Sequence, residues 1–544
     1  MKKKNKKTDN KVISSLVSDL RGNSIFLNHV LYLTALCFLF VIVQKQVFKK
    51  DIDINGDNAS YYISAKSLDQ GDGYANILSP SKPKANKFPP GYPFLMSIVM
   101  KFSKSFVAQK IFNSILLLLS CILLYFIVHE ISNNKLLALA SSILPSVNYL
   151  ILHFSAMMMS ETSFIFFSTL SFFSLYKLKN TYGFNQILRE PYFYLLVFSS
   201  TYAYHIRTQG IALIAGFVVF FLLKKEWKIS LSYLSGFIIL ALPWIIRNRI
   251  YDIGSSRYLH QMLAVNNWRP EEGLMTFGDM IKRMFSTSEM LITKAIPNSI
   301  IPNNHVNYSV ETTLFMWIVG ISIVSLIIYG IWDYCKNYKW IYLLYIVFSC
   351  GIITLWNAPS GNRYLVTIVP FLQIGFLFGV ISLIQYLLVR MQLTINVNVV
   401  LIAVLIISFF SFSKDIDKLS KENKRGLPPA YKNYFSIAES IKNNFPDGDV
   451  VISSRKPSLF FLYSNCYNVG FSSSLNDTIV IKGLVKNNVD FVVLEQLGYS
   501  STPRYLVPAI NKNKELFSVI THLKNPDTYM LGFNIAKAKE KLNL

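Results

Sequence analysis

Long uncharged apolar runs, separated by short polar segments, make up most of the chain up to about residue 412. A helix of roughly 20 apolar residues crosses the hydrocarbon core of a bilayer. A first, uncleaved span is predicted to begin near Phe26, because no small-residue cleavage site follows it. The later runs are Ile111 to Val128, Leu136 to Leu152, Thr162 to Tyr176, Ile229 to Ile246, Thr312 to Trp332, Trp340 to Trp356, Tyr364 to Val389 and Val397 to Phe412.

The stretch from Pro191 to Leu223 is too long for one ordinary span and carries Arg207 near its centre. As a single helix it would hold that arginine near the middle of the bilayer, at a cost of about 2.5–3.5 kcal/mol on insertion scales. As a hairpin of two short spans it places Arg207 at the outer surface and Lys224, Lys225 and Lys228 in the cytoplasm, as the positive-inside rule favours. We therefore predict eleven spans, with the amino end cytoplasmic and the carboxyl end outside.

The predicted membrane domain covers residues 1–412 and has two long outer loops, at 49–106 and 248–311. From residue 413 to 544 charges are spread throughout and the apolar runs become short, which predicts a small extracytoplasmic α/β domain. The elements expected there are a helix at Ala430–Asn444, buried strands at Asp449–Ser453 and Asp490–Leu494, and a strand pair at Phe517–Asn534.

Composition agrees with a polytopic α-helical membrane protein. The chain is 52% hydrophobic and 15% charged, which excludes a disordered chain and a coiled coil. Its formal net charge of +24 comes from lysines placed at the ends of apolar runs, where anionic lipid headgroups are the simpler partner. Nucleic acid is therefore not an expected partner. The Asn, Lys, Ile and Phe-rich usage favours a bacterial plasma membrane.

Five ionisable residues at span ends or in loops share the predicted outer side. Asp57 lies in the first outer loop, Glu161 opens the fourth span and Arg207 occupies the hairpin tip. Arg247 follows the seventh span and Arg363 precedes the tenth. Ionisable groups near a membrane are candidates for a functional site.

The first outer loop carries an aspartate, a tyrosine-bearing segment after it, and the turn Lys87-Phe88-Pro89-Pro90-Gly91-Tyr92-Pro93. This order resembles the first outer loop of GT-C glycosyltransferases, in particular the protein O-mannosyltransferase and lipid A aminoarabinose transferase group. One departure is that many relatives have two consecutive acids where this chain has Asp57-Asn58. The similarity extends, in the same order along the membrane part, to Ser160-Glu161, Arg207-Thr208-Gln209-Gly210, Pro243-Trp244-Ile245-Ile246-Arg247-Asn248 and Arg363-Tyr364.

The resemblance implies transfer of a sugar from a polyprenyl phosphate carrier. Asp57 would then be the general base that takes the proton of the acceptor hydroxyl. Lys87 and Arg207, with Arg363 as a third candidate, would stabilise the phosphate leaving group. Glu161 would orient the base or the acceptor, or would join Asp57 in holding a divalent cation. No other cofactor is expected, and direct attack assisted by one base predicts inversion at the anomeric carbon.

For a second group of candidates the sequence offers a structural role, which it favours for the arginine, the asparagine and the histidine: aromatic belt, helix cap or hydrogen-bonded interfacial histidine. These are Tyr62, Tyr92, His205, Arg247 and Asn248.

The sequence thus favours a hexosyl- or pentosyltransferase that uses a polyprenyl-phosphate donor and a glycan, lipid or protein acceptor on the envelope side. Two alternatives stay open, namely a transporter or flippase of lipid-linked glycans, and an envelope polysaccharide polymerase or ligase. A transporter would be expected to line the middle of its spans with polar groups, whereas these spans are almost free of charge at their centres.

Overall fold

A computed structural model describes most of the chain. The basic cluster Met1–Lys7 and the predicted start of the first span near Phe26 lie outside the described residues. The described ranges are 29–178, 183–251, 256–356 and 361–544.

In the described ranges, the regular elements of the predicted membrane domain are helices, as the apolar runs predict, apart from two isolated β-bridges in the outer loops. In chain order they are α1 (His29–Val47), α2 (Asp57–Asp69), α3 (Gly91–Met100), α4 (Phe106–Ser132), α5 (Lys135–Val147), α6 (Tyr149–Ser155), α7 (Glu161–Lys177), α8 (Phe184–Ile187), α9 (Pro191–Ile206), α10 (Ile211–Leu223), α11 (Trp227–Ile250), α12 (Ser256–Leu263), α13 (Phe277–Met290), α14 (Ile296–Ile300), α15 (Leu314–Tyr334), α16 (Lys339–Leu355), α17 (Gly361–Leu365), α18 (Val369–Arg390) and α19 (Val397–Lys424).

Each of the eleven predicted spans coincides with a helix or a helix pair. Among the described residues, seven helices are long and apolar enough to cross a membrane, and the pair α5 and α6, bent by 58°, is an eighth candidate. The other three predicted spans are shorter helices: α7 has 17 residues, α9 has 16 and α10 has 13. The prediction of a polytopic α-helical membrane protein is confirmed.

Helices α9 and α10 form the hairpin that the position of Arg207 indicates. Tyr233 of α11 donates a hydrogen bond to Ser200 of α9 at 2.7 Å and packs its ring on Phe217 of α10, with the ring centroids 5.6 Å apart. Both helices therefore lie along α11, and a single 3-10 turn at Thr208–Gly210 joins them. Arg207 stands at that turn rather than in the middle of a span.

The opposite end of the same helices gathers aromatic rings and lysines. Lys224, just after α10, lies 5.4 Å from the ring centroid of Tyr338, and Tyr176 near the end of α7 packs on the same tyrosine. Lys339 at the start of α16 stacks on Trp332. Lysine and aromatic side chains at a helix end are typical of the membrane interface. The two ends of the bundle therefore differ in chemistry.

Close backbone packing joins α15 to α18. A Cβ atom built on Gly330 would lie 2.2 Å from the backbone nitrogen of Gly379, and one on Gly379 would lie 2.0 Å from the carbonyl oxygen of Leu326. Small residues at such crossings let two membrane helices approach closely. These glycines therefore set the distance between the two helices, and α18 in turn continues the segment that carries Arg363.

The tail is an α/β domain, as predicted. Its sheet has the strand order β2-β1-β3-β5-β4, with β1 parallel to β2 and β3, and β5 antiparallel to β3 and β4. Its elements are α20 (Pro429–Asn444), β1 (Val451–Ser453), α21 (Pro457–Ser464), β2 (Tyr467–Val469), α22 (Asp477–Lys486), β3 (Phe491–Leu494), α23 (Val507–Lys512), β4 (Phe517–Leu523), β5 (Thr528–Phe533) and α24 (Ile535–Leu542).

Helix α19 continues through the composition change at residue 413 and ends only at Lys424. Its last turns pack on the membrane part, where Ile416 and Leu419 share a buried cluster with Val47 and Leu152. The folded elements of the tail begin at Pro429. A charged helical extension therefore links the last apolar run to the α/β domain.

Candidate active site

Four charged residues from distant parts of the chain meet at the hairpin-tip end of the bundle. Asp57 opens α2 and Glu161 opens α7, so both carboxylates stand in the first turn of a helix. A helix N-terminus favours negative charge there. Arg207 comes from the hairpin turn, and Arg363 from α17, ahead of the long helix α18. The sequence predicted that these residues share one side, and the structure places them in direct contact.

Arg363 bridges the two carboxylates. Its Nη1 donates to Oδ2 of Asp57 at 2.7 Å, and its Nε donates to Oε1 of Glu161 at 2.9 Å. Glu161 is completely buried, whereas the side chain of Asp57 is 29% exposed. One guanidinium thus fixes the spacing of a buried and an accessible carboxylate. The accessible one, Asp57, is the carboxylate that a substrate can reach.

Arg207 completes the buried side of the cluster. Its Nη1 donates to Oε1 of Glu161 at 2.8 Å and to Oγ of Ser160 at 3.0 Å, and its guanidinium lies 5.5 Å from the ring centroid of Tyr364. Oε1 of Glu161 therefore accepts from both arginines, while Oε2 is buried and has no hydrogen-bond partner among the described residues. Arg207 and Arg363 are therefore both ion-paired with carboxylates.

Lys87 is the more accessible cation of the cluster. Its side chain is 50% exposed, and its Nζ lies 3.9 Å from Oδ1 of Asp57 and 3.1 Å from Oγ of Ser60. Lys87 also lies over the ring of Phe88, the next residue of the turn Lys87–Pro93. With two carboxylates and three cations, the group Asp57, Glu161, Lys87, Arg207 and Arg363 has a formal charge of +1, concentrated on its open side at Lys87.

The electrostatics of the cluster keep Asp57 ionised. Burial raises the pKa of the Asp57 carboxyl, but the positive charges of Arg363 and Lys87 outweigh it, so that the pKa lies below its ordinary value. At neutral pH Asp57 is therefore a carboxylate with an exposed edge, 3.9 Å from an ammonium group. That is the protonation state that a general base requires.

A layer of buried polar and aromatic side chains packs against the charged cluster, and Ser60 and Tyr61 in it were not singled out as site residues from the sequence. Tyr61 is buried, and its hydroxyl lies 3.2 Å from Oγ of Ser160, the residue that accepts from Arg207. Tyr92, one of the second group of candidates, packs edge-on against Tyr61 and exchanges hydrogen bonds with Asn113. Because Ser60 and Tyr61 follow Asp57 by three and four residues, helical spacing alone would have placed them on its face.

The other second-group residues lie away from the carboxylates. Tyr62 donates to the carbonyl oxygen of Lys104, and His205 makes its contact with the carbonyl oxygen of Leu240 on α11. Neither side chain has a described contact with Asp57.

Arg247 binds the outer loop that leads to Lys87, and Asn248 binds Arg247. Arg247 donates to the carbonyl oxygens of Ala85 at 3.0 Å and Tyr74 at 2.7 Å, and also to the side-chain oxygen of Asn248. Its guanidinium stacks on Trp244, 4.7 Å from the ring centroid. These contacts fix the loop from α11 and thereby influence where Lys87 stands.

A divalent cation held by Asp57 and Glu161 would have to compete with Arg363. The guanidinium already lies between the two carboxylates and neutralises charge on both. In the described ranges no cluster of three or more His, Cys, Asp or Glu side chains is found.

The chain is similar to a known protein family and to solved membrane enzymes. Residues 32–259, less than half of the chain, match the family model described as dolichyl-phosphate-mannose-protein mannosyltransferase. The structure of ArnT from Cupriavidus metallidurans bound to undecaprenyl phosphate is similar with a TM-score of 0.61 and 10% identity, over 93% of this chain and 98% of that one. The chain has the GT-C fold. The GT-C fold that the resemblance implies is thereby confirmed.

A second GT-C structure, the archaeal oligosaccharyltransferase AglB from Archaeoglobus fulgidus, has a TM-score of 0.55 and 13% identity, over 85% of this chain and 69% of that one. That protein was solved with an inhibitory peptide and a dolichol-phosphate. No curated protein sequence matches this chain. The family model and the shared GT-C fold together support a glycosyltransferase.

Proposed function

We propose that this GT-C protein transfers a sugar from a polyprenyl-phosphate donor to an envelope glycan, lipid or protein acceptor on the extracytoplasmic face of a bacterial plasma membrane. The observation that carries the proposal is the arrangement of Asp57, ionised and accessible, beside the exposed ammonium of Lys87. A base and a phosphate-binding cation at this separation are the two groups that the reaction needs.

In the proposed reaction the acceptor hydroxyl attacks the anomeric carbon and passes its proton to Asp57. The new glycosidic C–O bond forms as the bond between the anomeric carbon and the phosphate oxygen breaks. The leaving polyprenyl phosphate takes the bonding electron pair, and Lys87 stabilises its negative charge through a charge-assisted hydrogen bond. A single displacement inverts the anomeric centre, and the proposal assigns no carboxylate the role of nucleophile.

The two arginines have a different role in this proposal from the one that the resemblance implies. Arg207 is ion-paired with Glu161, and Arg363 with both Asp57 and Glu161. We assign them to the positioning of Asp57 and Glu161, with Lys87 as the principal phosphate ligand. Arg363, 19% exposed, also faces the open side and adds positive potential there. No step is assigned to a divalent cation; one held by Asp57 and Glu161 would have to displace Arg363 from both carboxylates.

The transport alternative is less well supported by the distribution of charge. The charged cluster lies at helix ends and in loops, and not at the middle of the spans, where a transport pathway would place it. The lysine-rich opposite end supports a cytoplasmic position for that end, and hence an outer position for Asp57.

The test is mass spectrometry of polyprenyl-phosphate lipids and envelope glycans from deletion cells with and without the complementing gene. A transferase predicts that deletion cells accumulate one sugar-phosphate lipid and lack one glycan modification, and that both changes revert on complementation. Unchanged sugar-phosphate lipids, together with loss of a whole polymer, would instead favour the polymerase or ligase alternative.

A further inference from the structure

The tail domain contacts the helix that carries the proposed base. Helix α21 of the tail packs on α2, and Phe461 forms a buried cluster with Ile63 of α2 and with Ile77 of the outer loop. A backbone hydrogen bond from Asn468 to the carbonyl oxygen of Leu78 adds a second attachment to the same loop. The tail is therefore fixed to the first outer loop by apolar packing and by backbone pairing.

At the end of this interface, Lys456 reaches the segment immediately before Asp57. Its Nζ donates to the carbonyl oxygen of Ile54 at 2.6 Å and to that of Asn55 at 2.8 Å. The ammonium lies over the ring of Tyr499, 4.7 Å from its centroid. No carboxylate forms a salt bridge with Lys456 in the part of the chain that the structure describes, so its charge is directed at these backbone carbonyls.

The segment that Lys456 holds has an unusual backbone. Gly56 has a φ of +101°, a conformation that side-chain-bearing residues rarely adopt, and it is the N-cap of α2. The Lys456 side chain is the one that a Cβ on Gly56 would meet, at 3.6 Å. The glycine turn that precedes Asp57 at the start of α2 is thus covered by a residue of the tail.

A second contact leads from the tail to the phosphate-binding cation. Oγ of Ser458 lies 2.8 Å from Oγ of Ser60, and Ser60 in turn accepts from Lys87 Nζ at 3.1 Å. Lys456 and Ser458 are two residues apart at the start of α21. One short stretch of the tail therefore touches both the segment before the base and the partner of Lys87.

We propose that Lys456 is a positioning residue of the active site: by binding the carbonyls of Ile54 and Asn55 it holds the Gly56 turn and sets the position of Asp57. The tail domain is then part of the catalytic unit. This inference rests on the proposed function. Lys456 does not touch the reacting atoms, and its effect passes through the backbone.

Loss of Lys456 should affect the rate of transfer and the affinity for the lipid phosphate differently. Lys456 has no described contact with Lys87, so its loss should spare binding of the lipid phosphate while it lowers the rate of transfer. Lys456→Met keeps an unbranched side chain that is one atom shorter and removes the donor. Lys456→Arg retains a cationic donor over Tyr499. Lys442→Met, at an exposed position on α20 in the same domain, is the matched control.

The experiment uses the full-length chain with two readouts. The first is transfer in complemented deletion cells, followed by mass spectrometry of the sugar-phosphate lipid. The second is the affinity of the purified protein for undecaprenyl phosphate, with the thermal midpoint recorded alongside. We expect Lys456→Met to lower transfer at least about tenfold with affinity within about twofold of wild type, since tenfold corresponds to about 1.4 kcal/mol. Lys456→Arg should recover most of the transfer, and Lys442→Met should match wild type.

Two outcomes overturn the proposal. One is wild-type transfer by Lys456→Met. The other is an equal loss of transfer, phosphate affinity and thermal midpoint in Lys456→Met and Lys456→Arg, which would mark Lys456 as a purely structural residue. Asp57→Asn in the same assay separates the role of Lys456 from the role of Asp57. If Asp57→Asn abolishes transfer and Lys456→Met does not, only the role of Lys456 fails. Full transfer by both variants contradicts the role of Asp57 as the base, and deletion cells with unchanged sugar-phosphate lipids contradict the proposed function itself.

Discussion

Nη1 of Arg363 lies 2.7 Å from Oδ2 of Asp57, although the two residues are separated by 306 positions in the sequence. The ion pair joins the first outer loop to the segment that leads into α18. It also lowers the pKa of the proposed base, together with Lys87 and against the effect of burial. The state of Asp57 is therefore controlled by a residue that the sequence places far away.

The first prediction concerns pH. The pKa of Asp57 lies below the ordinary aspartate value of 3.8, so Asp57 stays ionised, and able to act as a base, until the pH falls below 3.8. The loss of transfer that protonation of Asp57 causes, the acidic limb of the pH profile, should therefore lie below pH 3.8 in wild type. Arg363→Gln removes a charge that lowers the pKa and leaves burial, which raises it. The acidic limb should therefore move to higher pH, alongside a lower maximal rate.

The pH profile of transfer in membranes measures this limb. The matched control is Arg504→Gln, which breaks an ion pair with Glu271; Arg504 is not among the charges that shift the pKa of Asp57, so the limb should stay in place. An acidic limb that stays at the wild-type position in Arg363→Gln would show that Arg363 does not control the pKa of the base.

The second prediction concerns the buried carboxylate. Glu161→Gln keeps the shape of the side chain but removes the charge that Arg207 and Arg363 share. Breaking a buried ion pair from one side costs about 3–5 kcal/mol. A lower thermal midpoint in detergent and loss of transfer are expected, whereas Glu130→Gln, at an exposed pair with Lys177, should leave both unchanged. Equal midpoints for the two variants would argue against a buried charge cluster.

The third prediction concerns the lipid phosphate. Lys87→Ala removes the exposed cation at the open side, and a hydrogen bond to a charged group contributes about 1.5–3 kcal/mol. Affinity for undecaprenyl phosphate should fall about tenfold or more, as measured by titration of the purified protein. Lys101→Ala deletes a lysine at the C-cap of α3, 2.8 Å from Asp69, and should bind as wild type does. Equal affinities for these two variants would assign the phosphate to another cation.

Much of the membrane architecture could be predicted from the sequence. The free-energy cost of placing a charge in a bilayer depends on where that residue stands in its own apolar run, and not on contacts with distant segments. The central Arg207 was enough to predict the hairpin, and the apolar runs located every span. In the tail, the short alternating segments predicted four of the five strands, while the short strand β2 was missed. Its three residues, Tyr467 to Val469, give too little pattern to separate a strand from a loop.

The site could be predicted only in part. The residues could be assigned to one side, but the partner of each charge depends on contacts between distant elements, which periodicity does not encode. The ion pairs of Arg207 and Arg363 with Glu161 were not foreseen from the sequence, and the role of the two arginines at the phosphate stays a prediction. The contact between Lys456 and the segment before Asp57 had no signal at all in a single sequence, since it joins positions about 400 residues apart.

The fourth prediction tests the packing that supports α18. Gly330→Ala would place a methyl group within 2.2 Å of the backbone nitrogen of Gly379, so α15 and α18 would have to separate. We expect a lower thermal midpoint in detergent. We also expect a smaller monodisperse peak in the size-exclusion profile of the extracted protein. Gly351→Ala, in α16 with no atom within 4 Å of the new Cβ, is the control and should behave as wild type. Normal behaviour of Gly330→Ala would contradict the close approach of the two helices.

The most direct test of the central claim is mass spectrometry of polyprenyl-phosphate lipids and envelope glycans in deletion cells that carry wild type or Asp57→Asn. Asparagine keeps the size of the side chain but cannot act as a base, so the variant should insert normally at wild-type levels. The account predicts that Asp57→Asn accumulates the same sugar-phosphate lipid as the deletion and lacks the same glycan modification. Full restoration of the glycan by Asp57→Asn would contradict it.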